Sequence, residues 1–254
     1  MKGSESSSRL ARGRRASLRA RVYRLLADAF LYPDEDLVSS LRGGGFEGGI
    51  RGWMAGDPGA QGGKGVRGLE TLLSHPASSS LAALREEHAR TFGHTISGGC
   101  PPYETEYGSA HIYQQAGRLA DIGGFYRAFG LEVSEENPER LDHIGLELEF
   151  MSFLALKEAY ALEHHGEEKA DLCLEAQRRF LLDYLGRWTP LFLRLLRKKG
   201  GFYGALAEVA EDFLGSERKG LGVSPEALTE FVPAGPEPGA ECDSCPMANP
   251  ECGI

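Results

Sequence analysis

The chain has 254 residues, 41% of them hydrophobic and 26% charged, enough for one large domain or two small ones. No stretch approaches the roughly 18 consecutive apolar residues of a spanning helix, which predicts a soluble protein with no direct membrane insertion. The formal net charge of −9 is uneven: residues 1–21 carry a local +6 and the remainder −15. So acidic a body argues against nucleic acid as the main ligand and for a cationic partner such as a basic peptide.

Residues 1–15 read as a flexible basic arm whose first eight residues are polar and Ser-rich. Arg14 and Arg15 look like the start of a twin-arginine export signal, but Arg21, Arg24 and Asp28 interrupt the apolar run that should follow, so no cleaved signal is read. Five cysteines, an odd number without framework spacing, point to a reducing compartment and a cytoplasmic location. From Ala16 to Tyr32 the residues Leu18, Val22, Leu25, Leu26, Ala29 and Phe30 recur at helical spacing, and Pro33 stops the run. A short second helix covers Glu35 to Arg42. Between Gly43 and Gly68 lie 12 glycines. At about 1 kcal/mol each relative to Ala in a helix interior, they predict a long surface loop, with at most a helical turn around Trp53. Helical pattern resumes over 68–74 and 79–91, then GHTISGGCPPYETEYG breaks it with Gly, Pro and turn residues.

Downstream, helices are expected over 109–129, 138–164, 167–197, 201–214 and 225–231, separated by Gly130, Asn137-Pro138, Gly166 and Gly200-Gly201. Strand alternation is missing, so the expected fold is all-α: a single helical bundle domain over 16–232, with a Gly-rich loop at about 43–68 and an irregular Pro/Gly/Cys-rich tail at 233–254. Residues 141–162 are apolar nearly all the way round, which predicts the central helix of the bundle. Asp142, His143, Glu147 and Glu149 then fall in its N-terminal portion, where it should emerge from the core.

The sequence carries no nucleotide-cradling glycine loop, no HExxH and no GxSxG, and no Glu-x-x-His pairs for a di-iron bundle, so nucleotide hydrolysis, zinc proteolysis and di-iron chemistry are not expected. His143 and Glu147, four residues apart on one helix face, fit three readings: a metal or acid/base constellation, a self-satisfied first turn, or a polar recognition patch. Cys242-x2-Cys245 and Cys252 place three thiols within reach of one soft metal ion, a zinc or iron–sulfur site whose fourth ligand would be Cys100, Cys173 or a partner's. The same thiols also fit a redox pair or an ordinary tail. No cofactor is required by any other feature.

Three segments, RVYRLLADAFLYPDEDL, CPPYETEYG and ERLDHIGLELEFMSFLALKE, occur in an order that resembles the TorD/DmsD/NarJ family of cytoplasmic chaperones for molybdenum enzymes, over roughly residues 18–215. The resemblance implies an all-helical fold, no catalysis, and a role in holding the apo catalytic subunit of a dimethyl sulfoxide reductase-type molybdoenzyme until its cofactor is inserted and before export. Recognition is implied to fall on the subunit's twin-arginine leader. By the same resemblance Asp142 and His143 are the pair tied to leader recognition, Tyr103 and Glu104 form an accompanying aromatic and acidic loop, and Tyr23, Leu26, Phe30 and Pro33 are structural. Many relatives have Pro where this chain has Leu141, so the pair can be aimed differently.

The chemistry of such a leader agrees with the residues present. Two guanidinium groups and an apolar helix-forming segment need carboxylates beside an apolar groove, and Asp142, Glu104 and Glu147 with Tyr103 and Leu141 supply these types. Two or three charged hydrogen bonds at about 1.5 to 3 kcal/mol, and as many buried apolar side chains, less the ordering cost, give roughly micromolar binding. The alternative is a metal-binding assembly or transfer protein that uses the C-terminal cysteines with zinc or an iron–sulfur cluster. Whether the chain is a monomer or a helix-swapped dimer is left open by the sequence.

Overall fold

A computed structural model describes residues 2–57, 63–93, 99–108, 112–134 and 139–231, with the helical backbone alone given for 2–6 and 112–114. Its elements are α1 (Lys2–Phe30), α2 (Glu35–Arg42), α3 (Gly45–Gly56), α4 (Lys64–Ser74), α5 (Leu81–Phe92), α6 (Ile112–Ala128), α7 (Ile144–His164), α8 (Glu167–Phe180), α9 (Gly186–Lys199) and α10 (Gly201–Leu221). Short 3₁₀ turns lie at Pro76–Ser79 and Glu104–Glu106. Among the described residues there is no β-strand, only an isolated antiparallel bridge between Tyr103 and His143. The fold is all-α, a single domain around one main core. Among the described residues no helix is long and apolar enough to cross a membrane.

The central packing is α1 against α7, running antiparallel. Ser152 Oγ donates to the Ala20 carbonyl at 2.8 Å, with Arg24 to Glu149 (2.6 Å) on one side of it and Arg12 to Glu158 (3.0 Å) on the other. Val22, Tyr23, Leu26, Ala29 and Phe30 are wholly buried, as their spacing predicts. The helix does not begin at residue 16, however, but continues back to Lys2. Part of the segment expected to be a flexible arm is thus ordered against the acidic body, where Arg12 meets Glu158 and Asp171; beyond it, the deeply set Arg19 meets Glu217, Glu158 and Gln177. Paired carboxylates compensate the desolvation of these guanidinium groups, which polarity alone did not foretell.

The expected loop at 43–68 is corrected to two helices. In α3, Phe46, Ile50, Trp53 and Met54 make one buried stripe. In α4, Gly68 touches the backbone of α10 so closely that a Cβ there would lie 2.7 Å from the Ala205 carbonyl oxygen. Gly68 marks a close helix crossing, and tertiary burial of α3 and α4 outweighs the low helix propensity of their glycines.

The helix expected over 167–197 breaks into α8 and α9 around a π-helical turn at Leu181–Leu185. The wider turn comes just before Pro190, which lacks the N–H a regular helix would use. No helix forms over 225–231. The segment is irregular, tied down by Leu228 N–H to the Arg187 carbonyl at 2.8 Å and by Phe231 against Tyr107, and a seven-residue helix would not repay its nucleation cost. The central helix α7 buries Ile144, Leu148, Phe150, Met151 and Leu154 but leaves Leu156 and Tyr160 more than half exposed, so one of its apolar faces is uncovered. The tail carrying Cys242, Cys245 and Cys252 lies outside the described residues.

Candidate functional site

The loop over 99–108 is fastened to the residues just before α7 first by backbone hydrogen bonds. Glu104 N–H donates to the Asp142 carbonyl and Ile144 N–H to the Pro102 carbonyl, both at 2.9 Å. That bridge brings Tyr103, Glu104, Leu141, Asp142, His143 and Glu147 into one place, although nearly 40 residues separate the two segments in sequence. Asp142 and His143 are not inside a helix begun at Pro138, which itself lies outside the described residues; α7 starts at Ile144 and His143 caps it, its Nδ1 accepting from Gly145 N–H at 3.0 Å. The proton of the neutral ring therefore sits on Nε2.

The carboxylates are not arrayed on an open crevice, which corrects the expectation that the helix emerges from the core at these charges. Asp142, His143, Glu147 and Glu104 are all buried, while Tyr103 and Leu141 are partly exposed at the edge. Each charge is answered from within the chain. Asp142 Oδ2 accepts from Thr105 N–H (3.0 Å), Thr105 Oγ1 (2.8 Å) and Arg140 Nη2 (2.9 Å), and its Oδ1 from Arg140 Nε at 3.1 Å. Arg140 also reaches Glu106 at 2.9 Å and lies over the Tyr103 ring, 4.2 Å from its centre. Glu104 receives Arg118 Nε at 2.7 Å, and Arg118 in turn stacks 4.1 Å over Tyr184 and donates to the Asp183 carbonyl.

Glu147, like Asp142, is wholly buried. Trp188 Nε1 donates to its Oε2 at 3.1 Å, and its Oε1, like Oε2 of Glu104, receives no hydrogen bond from any other side chain or from the backbone. Burial, then the neighbouring Glu104 charge, push the Glu147 carboxyl well above the ordinary range, in favour of its neutral form. Burial also raises Glu104, against the pull of Arg118. Glu147 and Glu104 hydrogen-bond to each other through their side chains, which two acids can do only by sharing a proton. Burial lowers His143 to about 3, so the capping ring is uncharged at neutral pH. His88 is close enough to His143 to depress it further, and is itself lowered to about 4 by burial. Its ring meets Tyr32 edge-on at 5.4 Å, as His143 meets Tyr103 at 5.3 Å, which sets aromatic groups along this edge.

The residues that sequence reading missed are the cations and the indole. Arg140 stands two positions before Asp142 and was visible as a neighbouring opposite charge; Arg118, Thr105 and Trp188 give no local signal of their roles. A cavity of about 730 Å³ lies elsewhere, between α1, α3 and α10, with Arg12, Arg15, Trp53, Asp212 and Glu217 in its walls. None of the six expected site residues lines it. Among the described residues no group of three or more His, Cys, Asp or Glu is arranged for a metal ion. Cys100, suggested above as a fourth thiol ligand, is buried against the Phe192 carbonyl and Tyr107, and burial pushes its thiol up to about 11.

The site is thus a buried acid cluster, paired within the chain and set under a partly aromatic edge of an all-helical domain. Residues 59–194, just over half of the chain, match the family described as nitrate reductase delta subunit, and the chain belongs to that family, in which the resemblance to TorD and NarJ also placed it. It is similar to a perchlorate reductase assembly chaperone protein of Dechloromonas aromatica (strain RCB), 35% identical over 117 residues that cover 44% of this chain and 51% of the relative. A selenate reductase assembly chaperone protein of Thauera selenatis is 32% identical over 115 residues, 45% of this chain and 58% of its own length. A chaperone protein TorD of Photobacterium profundum is 29% identical over 113 residues, 44% and 51% respectively. The matched chain thus spans about half the length of these curated relatives, which are named as chaperones and not as enzymes.

Proposed function

We propose that the protein is an assembly chaperone for a reductase of the molybdenum-enzyme class, of dimethyl sulfoxide reductase type, and that it holds the catalytic subunit through an arginine-bearing leader until the cofactor is in place. The observation that carries this reading is the Asp142 cradle. A buried carboxylate with two fixed Thr105 donors already takes an arginine fork, and that fork is stacked on the partly exposed Tyr103. Planar guanidinium recognition needs this combination of carboxylate and aromatic face. Leu141 and Tyr103 offer the apolar edge for the segment after the arginines. The family membership and the names of the relatives support the same role without fixing the client.

The test is calorimetric titration of the purified protein with the leader peptide of the subunit co-isolated from the native host, at low and high salt. Roughly micromolar binding, weakened by salt and lost when both arginines are replaced by alanine, is the expected result. Equal affinity for the alanine peptide would refute the role given to Asp142. The metal-transfer alternative rests on Cys242, Cys245 and Cys252, and no described residue favours it.

A further inference from the structure

We infer that Arg140 is a resident stand-in for the client's arginine: a guanidinium of the bound protein displaces it from Asp142 and Tyr103. This inference rests on the chaperone reading above and deepens it. The two arginines of the acid cluster differ in how they are held. Arg118 is three-quarters covered, clamped between Glu104, the Asp183 carbonyl and the Tyr184 ring, so it is part of the fabric. Arg140 projects from the turn before α7 with 40% of its side chain exposed, and its partners are Asp142, Glu106, Thr105 and the face of Tyr103.

Such a placeholder resolves a physical difficulty. Asp142 is fully buried, and a buried carboxylate without a counter-charge is strongly unfavourable, so a vacant receptor would be destabilised around it. With Arg140 in place the site is neutralised at all times. An incoming guanidinium then exchanges like for like, leaving the Thr105 donors and the Tyr103 face to receive it, while Arg140 swings into water and keeps its own hydration. Little net desolvation is involved, so binding is selective for arginine geometry yet weak enough to reverse. Glu106, partly exposed beside Arg140, is positioned to keep the displaced arginine nearby for the return step.

The experiment uses the full chain and its R140A and R140K variants. Ethylguanidinium is expected to raise the thermal midpoint of R140A but not of the wild type, and the neutral isostere ethylurea is expected to do neither. The leader peptide should bind R140A on the order of tenfold more tightly than it binds wild type, because the competitor is gone, with R140K between them. No rescue by ethylguanidinium would show that Asp142 is not a guanidinium receptor. Unchanged or weaker peptide binding by R140A, with wild-type binding intact, would overturn the displacement while sparing the chaperone reading. Rescue by ethylguanidinium with no peptide binding by any variant would sink the leader reading, and with it the displacement by the client. Should R140A not fold, the comparison of R140K with wild type decides the same question, since lysine lacks the fork and the ring stack.

Discussion

Asp142 concentrates the chemistry of the site: one carboxylate, wholly out of water, satisfied by Thr105 and Arg140. D142A leaves the Thr105 N–H without a partner inside the protein, but leaves Arg140 free to turn to solvent. The expected loss is therefore about 2–3 kcal/mol, less than for a pair buried on both sides, and urea unfolding measures it. A loss under about half a kcal/mol would mean that the cradle is not assembled. His143 makes a separate prediction. Its folded pKa of about 3 lies below the ordinary 6.5, so below pH 6.5 the unfolded chain takes up a proton that the folded chain refuses, and stability falls as pH drops toward 3. His88, lowered to about 4, acts in the same direction; Glu147 and Glu104, raised by burial, act in the opposite one, gaining stability as pH falls. Asn can keep the cap without titrating, so between pH 7 and 5 H143N should lose about 2 kcal/mol less than the wild type. Identical pH profiles for the two proteins would contradict the buried neutral ring.

Among the elements, α3 and α4 show how composition misleads. Glycine density argued for a loop, yet Phe46, Ile50 and Trp53 already stood at helical spacing, and the glycines fall where helices touch or where nothing touches them. Gly48 has open space around it and is exposed, so G48A should stabilise the protein by about 0.5–1 kcal/mol by removing backbone entropy from the unfolded chain. Gly68 meets the backbone of α10, so G68V should destabilise by about 1–3 kcal/mol through overpacking. Thermal or urea unfolding of both variants checks the pair, and matching effects would deny the helical crossing. The other elements were legible because their signals were local. Pro33 ended α1, Gly200 and Gly201 separated α9 from α10, and the apolar run of 141–162 became the long helix packed on α1. The start of α7 at Ile144 depends on a partner from another segment, the carbonyl of Pro102, whereas the π turn at Leu181–Leu185 precedes a proline that was visible in the sequence.

Across the whole molecule, the acidic excess is drawn partly onto the chain's own basic helix. Arg12 and Arg19 neutralise Glu158, Asp171 and Glu217 near the C-terminal end of α7, far along that helix from Asp142. Among the described residues the basic segment has no ion pair with the Asp142 cluster, and removing residues 1–15 should leave leader affinity unchanged within about twofold, while lowering stability through the lost Arg12 contacts. A gain in affinity of about tenfold on truncation would show that the segment does compete for the site.

Helical periodicity and short motifs are written in neighbouring positions, so the all-α class, the family and the six residues that gather at the site could be read directly from the order of amino acids. That those carboxylates are sealed rather than displayed was settled by packing in three dimensions. Arg118, Arg140 and Trp188 come from separate stretches of chain, and whether a charge is buried and answered or exposed and available depends on which distant side chain arrives beside it.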